Sequence, residues 1–191
     1  MTALADFALR ETVRVHAAAL DEVHGAPIGE ESGKPQELIV IGMGKLGGHE
    51  LNVSSDIDLV FVYPEEGETA GPRVIANREY FDRLGRRVVA ALNDATSDGY
   101  VFRVDMRLRP YSESRALTTS FAGLEHYLLT QGRAWERYAW LKARAITGAR
   151  HDELMTLVTP FVFRKYLDYN TLAAKLPAGV EPGYDNLEIV L

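Results

Sequence analysis

A glycine-rich turn set between two apolar runs, with paired aspartates opening the second, constrains this chain more than any other feature. Leu38 to Ile41 reads as a strand that runs into Gly42-Met43-Gly44-Lys45-Leu46-Gly47-Gly48. Ser54-Ser55-Asp56-Ile57-Asp58-Leu59 then leads into the apolar run Ile57 to Tyr63. Successive strand side chains point to opposite faces, so Asp56 and Asp58 share one face and Ile57, Leu59 and Phe61 take the other. Neighbouring carboxylates repel unless a cation lies between them. A hard divalent ion such as Mg2+ accepts one or two carboxylates and completes its shell with phosphate and water oxygens. Glycines upstream let backbone N–H groups approach a phosphate closely. An Asp-x-Asp alone is usually a solvated turn. Here the acids open a run that is buried on at least one face, where unpaired charge is costly. The pattern points to metal-assisted transfer of a phosphorus group.

A third acid lies in Tyr100 to Leu108, which reads as a strand that Pro110 ends. Arg103, Asp105, Arg107 and Arg109 alternate with Val104, Met106 and Leu108. Pattern alone leaves open an edge strand with a solvated, charged face. If this strand lies beside the second one, Asp105 joins Asp56 and Asp58 as a ligand of the same metal pair, whose ions stand about 4 Å apart in such sites. Arg107 and Arg109 would then clamp phosphate oxygens, because guanidinium forks match phosphate geometry.

Composition narrows the classes. A formal charge of −6 over 191 residues argues against general nucleic-acid binding. The absence of cysteine excludes disulfides and thiolate zinc sites and fits a cytoplasmic setting. No apolar run reaches membrane-spanning length, so no membrane partner is expected. His16, His24, His49, His126 and His151 lack zinc-ligand spacing and read as surface or cap residues.

Hydrophobic periodicity organises the remainder. Ala3 to Val23 reads as a helix with apolar positions at Leu4, Ala8, Val15, Ala19 and Val23. Gly25 to Gln36 and Pro64 to Pro72 read as loops, and Lys45 to Asn52 as one or two helical turns. Val74 to Ala95 reads as a long amphipathic helix, and Ser97-Asp98-Gly99 as a turn. Ser120 to Thr130, N-capped by Ser120, and Ala134 to Ile146 follow as helices. His151 to Tyr169 is a helix interrupted by Pro160. Trp135, Tyr138 and Trp140 read as packing in preference to an aromatic face stacked on adenine, and Glu136, Arg137, Lys142 and Arg144 as a solvated or interdomain face. The aperiodic tail from Pro177 is expected to be cut from something longer.

The glycine turn, the Asp-x-Asp and the third acid together resemble the nucleotidyltransferase superfamily that includes DNA polymerase β. Gly44 precedes Asp56 by 12 positions, a spacing this superfamily allows. One departure is Gly44-Lys45 where the superfamily usually has Gly-Ser, leaving Ser54 or Ser55 to supply the hydroxyl. More narrowly, Gly42 to Leu59, Val104-Asp105-Met106-Arg107-Leu108-Arg109-Pro110, Gly132-Arg133-Ala134-Trp135-Glu136-Arg137-Tyr138-Ala139 and Lys142-Ala143-Arg144 resemble signatures of the glutamine synthetase adenylyltransferase/adenylyl-removing enzymes. These blocks span roughly Glu37 to Tyr169.

The resemblance implies an α+β, polymerase-β-like fold: a small mixed sheet flanked by helices, with additional C-terminal helices. It implies an N-terminal helix and loop over 1–36, a catalytic core over 37–118, a helical extension over 119–176 and an irregular tail over 177–191. Asp56, Asp58 and Asp105 become the catalytic and metal-binding residues, for two Mg2+ ions that Mn2+ can replace. Gly44, Lys45, Ser54, Ser55, Arg107 and Arg109 become the phosphate- and nucleotide-binding set. Partners implied are glutamine synthetase, a nitrogen-signal protein of the PII type, phosphate, and AMP, ADP or ATP. Members carry two related domains, one removing AMP from a tyrosine by phosphorolysis and one attaching it from ATP. The Ser-Ser-Asp-Ile-Asp, Val-Asp-Met and Trp-Glu-Arg-Tyr blocks look like the removing domain. The other readings are attachment of AMP from ATP, a nucleotidyltransferase acting on a nucleic acid or small molecule, which the acidic balance disfavours for a polymer template, and a non-catalytic regulatory module with this fold.

Overall fold

The β-branched and aromatic run Ile57-Asp58-Leu59-Val60-Phe61-Val62-Tyr63 becomes the centre of a mixed sheet. The structure, a computed structural model, describes residues 1–97 and 99–163. Its elements run α1 (Thr2–His24), β1 (Pro27–Gly29), β2 (Ile39–Gly42), α2 (Gly44–Gly47), β3 (Ile57–Tyr63), β4 (Gly67–Thr69), α3 (Asn77–Asn93), β5 (Val104–Asp105), β6 (Thr118–Ser120), α4 (Phe121–Thr130), α5 (Ala134–Leu141), β7 (Arg144–Ala145) and α6 (His151–Val162). β2 pairs antiparallel with β3 from Ile39↔Val62 to Gly42↔Leu59, and β7 adds antiparallel to the outer edge of β2. β5 and β6 share the other edge of β3, both parallel to it.

Both faces of the sheet are covered, which is why its central strands read as continuous apolar runs. Leu38, Val40, Leu59 and Phe61 pack with Ala5 and Leu9 of α1 and with Phe81, Leu84 and Val88 of α3. Ile39, Ile41, Val60 and Val62 meet Leu124 of α4, Trp140 of α5 and Leu154, Val158 and Phe161 of α6. No helix among the described residues is long and apolar enough to cross a membrane.

Several expected elements differ. The buried stripe of α1 is Ala5, Leu9 and Leu20, while Leu4, Val15 and Val23 are exposed. This alanine-rich helix is apolar on several sides, and Asp6, bound to Arg144, helps choose the side that turns inward. Both expected loops carry strand: β1 and β4 form a separate antiparallel pair. His24 is buried, its Nδ1 lying 2.7 Å from the carbonyl oxygen of Arg73.

The third strand is only two residues long. Val101 and Phe102 N–H donate to the Leu92 carbonyl at 3.0 and 2.9 Å, which holds that segment on the end of α3. At its other end the Asp105 carboxylate accepts the Arg107 N–H at 2.8 Å, and this local turn competes with the sheet ladder. The expected helix to Ile146 stops at Leu141, because 144–145 joins the sheet. α6 carries Pro160 within its last turn and ends at Val162; the remainder of that expected helix, the tail from Pro177 and Asp98 of the expected turn lie outside the described residues.

Ser120 caps α4 as expected, its hydroxyl oxygen accepting the Gly123 N–H at 3.3 Å. Ser120→Ala should cost about 1 kcal/mol, the usual worth of such a cap. Differential scanning calorimetry should show a melting point lower by a few degrees.

Candidate active site

Register decides the site. β3 and β5 pair with Ile57 opposite Val104 and Asp58 opposite Asp105, and parallel neighbours in register point to the same face. Asp56 lies one residue before β3. The three carboxylates are electrostatically coupled: the Asp58 pKa is raised by burial first, then by the charges of Asp105 and Asp56. Asp105 goes the other way, held below the usual carboxylate range mainly by its hydrogen bond from Arg107.

The glycine turn sits against these acids. Gly44 opens α2 at φ +51°, and a Cβ there would stand 3.1 Å from Oδ2 of Asp58. Both conformation and space therefore call for glycine. At Gly47 a Cβ would meet the Lys142 carbonyl oxygen at 1.8 Å, so the turn closes tightly on the chain leading into β7. Arg144 of β7 secures it. Its guanidinium donates to both carboxylate oxygens of Asp6, at 3.0 and 2.9 Å, and to the carbonyls of Leu46 and Gly47 at 3.2 and 3.3 Å. The expectation of a solvated or interdomain Arg144 is corrected: this side chain is mostly buried and ties α1 to the turn.

Two arginines neutralise two of the acids. Arg103 Nε lies 2.6 Å from Oδ1 of Asp56, and Arg107 Nε donates to Oδ2 of Asp105 at 2.7 Å. No ion pair is made by Asp58 among the described residues. Nor do three His, Cys, Asp or Glu side chains among them stand together as a ready-made metal cage. The donor set nonetheless suits a hard cation, being all carboxylate oxygen with one member destabilised by burial and by its neighbours' charge.

The other candidates divide. Ser54 and Ser55 lie in the loop before Asp56, and Lys45 reaches it from α2: Lys45 Nζ donates to the Ser55 hydroxyl at 3.4 Å, and that hydroxyl donates to Asn52 Oδ1 at 2.6 Å. Arg109 is held by its own loop. It donates to the carbonyls of Met106, Ser112, Ser114 and Ala116, four of its five N–H groups, and so pins the loop after β5. Arg107 keeps an exposed side chain beside the acids.

A cavity of about 370 Å³ opens over this face, lined by Asp58, Asp105, Arg107 and Arg109 together with Arg133, Trp135 and Glu136. The last three come from the start of α5; the sequence reading favoured packing for Trp135 over a place against adenine and put Arg133 and Glu136 at no site. Trp140 packs in the core as expected, but Trp135 is 39% exposed and borders the cavity, whereas Glu136 is buried. The signal for them was the Gly132-Arg133-Ala134-Trp135-Glu136 block itself, whose charged and aromatic residues do not follow one helical stripe.

Comparison with known proteins gives the family. The family described as "Glutamate-ammonia ligase adenylyltransferase" matches residues 1–157. A "Bifunctional glutamine synthetase adenylyltransferase/adenylyl-removing enzyme" of Chromobacterium violaceum is 66% identical over 171 residues, covering 90% of this chain and 19% of the relative. Proteins of the same name from Ralstonia nicotianae and from Neisseria meningitidis serogroup B are 56% and 54% identical, each covering 91% of this chain and 19% of the relative. The chain thus spans about a fifth of the length of these curated relatives. With a match over most of its length and identities above one half, the chain belongs to the glutamate-ammonia ligase adenylyltransferase family.

Proposed function

We propose that this chain is a nucleotidyl-transferring unit of polymerase-β-like fold, which removes AMP from an adenylylated tyrosine of glutamine synthetase by phosphorolysis and gives ADP. The observation that carries the reading is the Asp58↔Asp105 register beside the Gly44 turn, with Asp56 one residue ahead of the strand. Asp56, Asp58 and Asp105 would hold Mg2+. Bound there, Mg2+ lowers the charge at the reacting phosphorus and steadies the attacking and leaving oxygens. Arg103 and Arg107 balance the carboxylates and stand ready to take phosphate oxygens in their place. Gly44 keeps the Asp58 side chain free of contact from the turn. Orthophosphate is ionised at neutral pH, so no side chain need act as a strong base. The direction rests on the Ser-Ser-Asp-Ile-Asp, Val-Asp-Met-Arg and Trp-Glu-Arg-Tyr blocks, which resemble the removing domain. Glutamine synthetase and a PII-type signal protein are the proposed partners, in the cytoplasm.

The test is product-resolved. Incubated with adenylylated glutamine synthetase, Mg2+ and radiolabelled phosphate, the protein should release labelled ADP. It should leave unmodified glutamine synthetase unlabelled when given labelled ATP. Labelling from ATP without phosphate-dependent ADP would reverse the direction, and neither product would leave a regulatory module.

A further inference from the structure

The cavity over the acids does not end at Arg133. A second cavity of about 480 Å³ is lined by Tyr111, Glu113, Gln131 and, in common with the first, by Ser112, Tyr127 and Arg133. The two form one cleft that leads outward from Asp58 and Asp105, and Arg133 stands at the junction. It is exposed, and among the described residues no carboxylate pairs with it, although Glu113 lines the second cavity and Asp58 and Asp105 line the first. Glu136, the nearest acid in sequence, is already engaged: Tyr127 donates its hydroxyl to Oε1 at 2.8 Å, and the Arg133 main-chain N–H donates to Oε2 at 3.2 Å. Among the described residues the Arg133 guanidinium makes no ion pair and no hydrogen bond. It differs in this from its neighbours, since Arg107 is bound to Asp105 and Arg109 to loop carbonyls.

The far wall is shaped as well. Tyr111 takes φ +51°, a conformation that costs a side chain such as tyrosine, and its ring meets Tyr127 edge-on at 5.0 Å. Tyr127 therefore holds both the aromatic wall and Glu136, and keeps that carboxylate off the guanidinium. A free, planar cation one step outward from a carboxylate face matches an anion that sits one step outward from a metal-bound phosphate.

We infer that Arg133 is the seat of the outer phosphate: orthophosphate as the attacking group, which is the β-phosphate of the nucleoside diphosphate once the bond has formed. This assignment rests on the function proposed above. There the AMP phosphorus lies at Asp56, Asp58 and Asp105, and the second phosphate lies toward the α5 end of the cleft. Arg133 contributes to the phosphate ligand alone and leaves binding of the monophosphate to the acids.

Isothermal titration calorimetry on the 191-residue chain, with AMP and with ADP in Mg2+, tests this. Wild type should bind ADP roughly tenfold or more tighter than AMP, the worth of one charge-assisted contact. Arg133→Met should erase that preference while leaving AMP affinity and the melting point unchanged. Arg133→Lys should restore part of it, as a point charge without the fork. The assignment is overturned if Arg133→Met keeps the ADP preference, if it weakens AMP and ADP equally, or if wild type shows no preference. The parent reading has its own signature: AMP binding that needs Mg2+ and is lost in Asp58→Asn. AMP binding that ignores both sinks the parent reading whatever the Arg133 variants do, and a wild type that binds neither nucleotide overturns the two together.

Discussion

Asp58→Asn should lower turnover by ~1,000-fold or more while leaving the apo protein at least as stable as wild type. The loss follows from removing the central carboxylate of the site. Charge stabilisation by a bound cation is worth several kcal/mol, and each 1.4 kcal/mol is about tenfold in rate. The stability side follows from the raised pKa of Asp58, caused by burial and by the charges of Asp105 and Asp56. A carboxylate whose folded pKa lies above its unfolded value costs stability wherever it is ionised, and that cost fades as pH falls through the folded pKa. Asn never ionises. The variant should therefore melt at or above wild type at neutral pH, with the margin shrinking on acidification. Asp105 has the opposite sign: Arg107 lowers its pKa, so its contribution is present above the unfolded value and is lost as pH falls through the lowered one. Calorimetric melts of the apo proteins across the acid range, beside the phosphorolysis assay, read both effects. A variant that keeps wild-type turnover, or that melts well below wild type at neutral pH, would remove Asp58 from the assignment.

Asp6→Ala should be the most damaging single change to the fold outside the sheet core. Asp6 lies in the first turns of α1, yet it accepts two hydrogen bonds from Arg144, 138 positions away. Both side chains are largely buried, 23% exposed for Arg144 and 11% for Asp6. Truncating one partner leaves a guanidinium buried without its counter-charge, which costs about 3 kcal/mol or more. For a chain of this size that is a fall of roughly 10 °C in melting temperature. Because Arg144 also holds the carbonyls of Leu46 and Gly47, loosening it should loosen the turn that keeps Gly44 against Asp58. Asp6→Asn, which retains an acceptor without the charge, should fall between the two. A melting curve for Asp6→Ala that overlays wild type would show the pair to be dispensable.

Local chemistry was legible in the chain wherever a short-range rule governs. Parity along one strand puts Asp56 and Asp58 on one face without reference to any other element. The Ser120 cap is likewise a matter of neighbours, and so is the buried face of α3, where Phe81, Leu84, Val88 and Leu92 recur at helical spacing. Where two local rules competed, sequence parity misled. Arg103, Asp105, Arg107 and Arg109 alternate as a strand would, but the Asp105 side chain captures the Arg107 N–H and ends the strand after two residues. Arg109 accordingly spends its N–H groups on loop carbonyls while still lining the cavity beside Asp58, Asp105 and Arg107.

The sequence by itself determined that two acids, a glycine turn and a third acid exist in an order suited to phosphorus chemistry. Only the tertiary structure decided that Asp105 stands beside Asp58, because that neighbour relation is a strand register across 47 residues and no local pattern encodes it. The same holds for Arg144 on Asp6 and for Arg133 in the cleft over the acids. Periodicity reports which face of an element turns inward. Which element waits on the other side is set by packing the whole chain at once, where burial of the apolar faces and pairing of the charges they carry must be satisfied together.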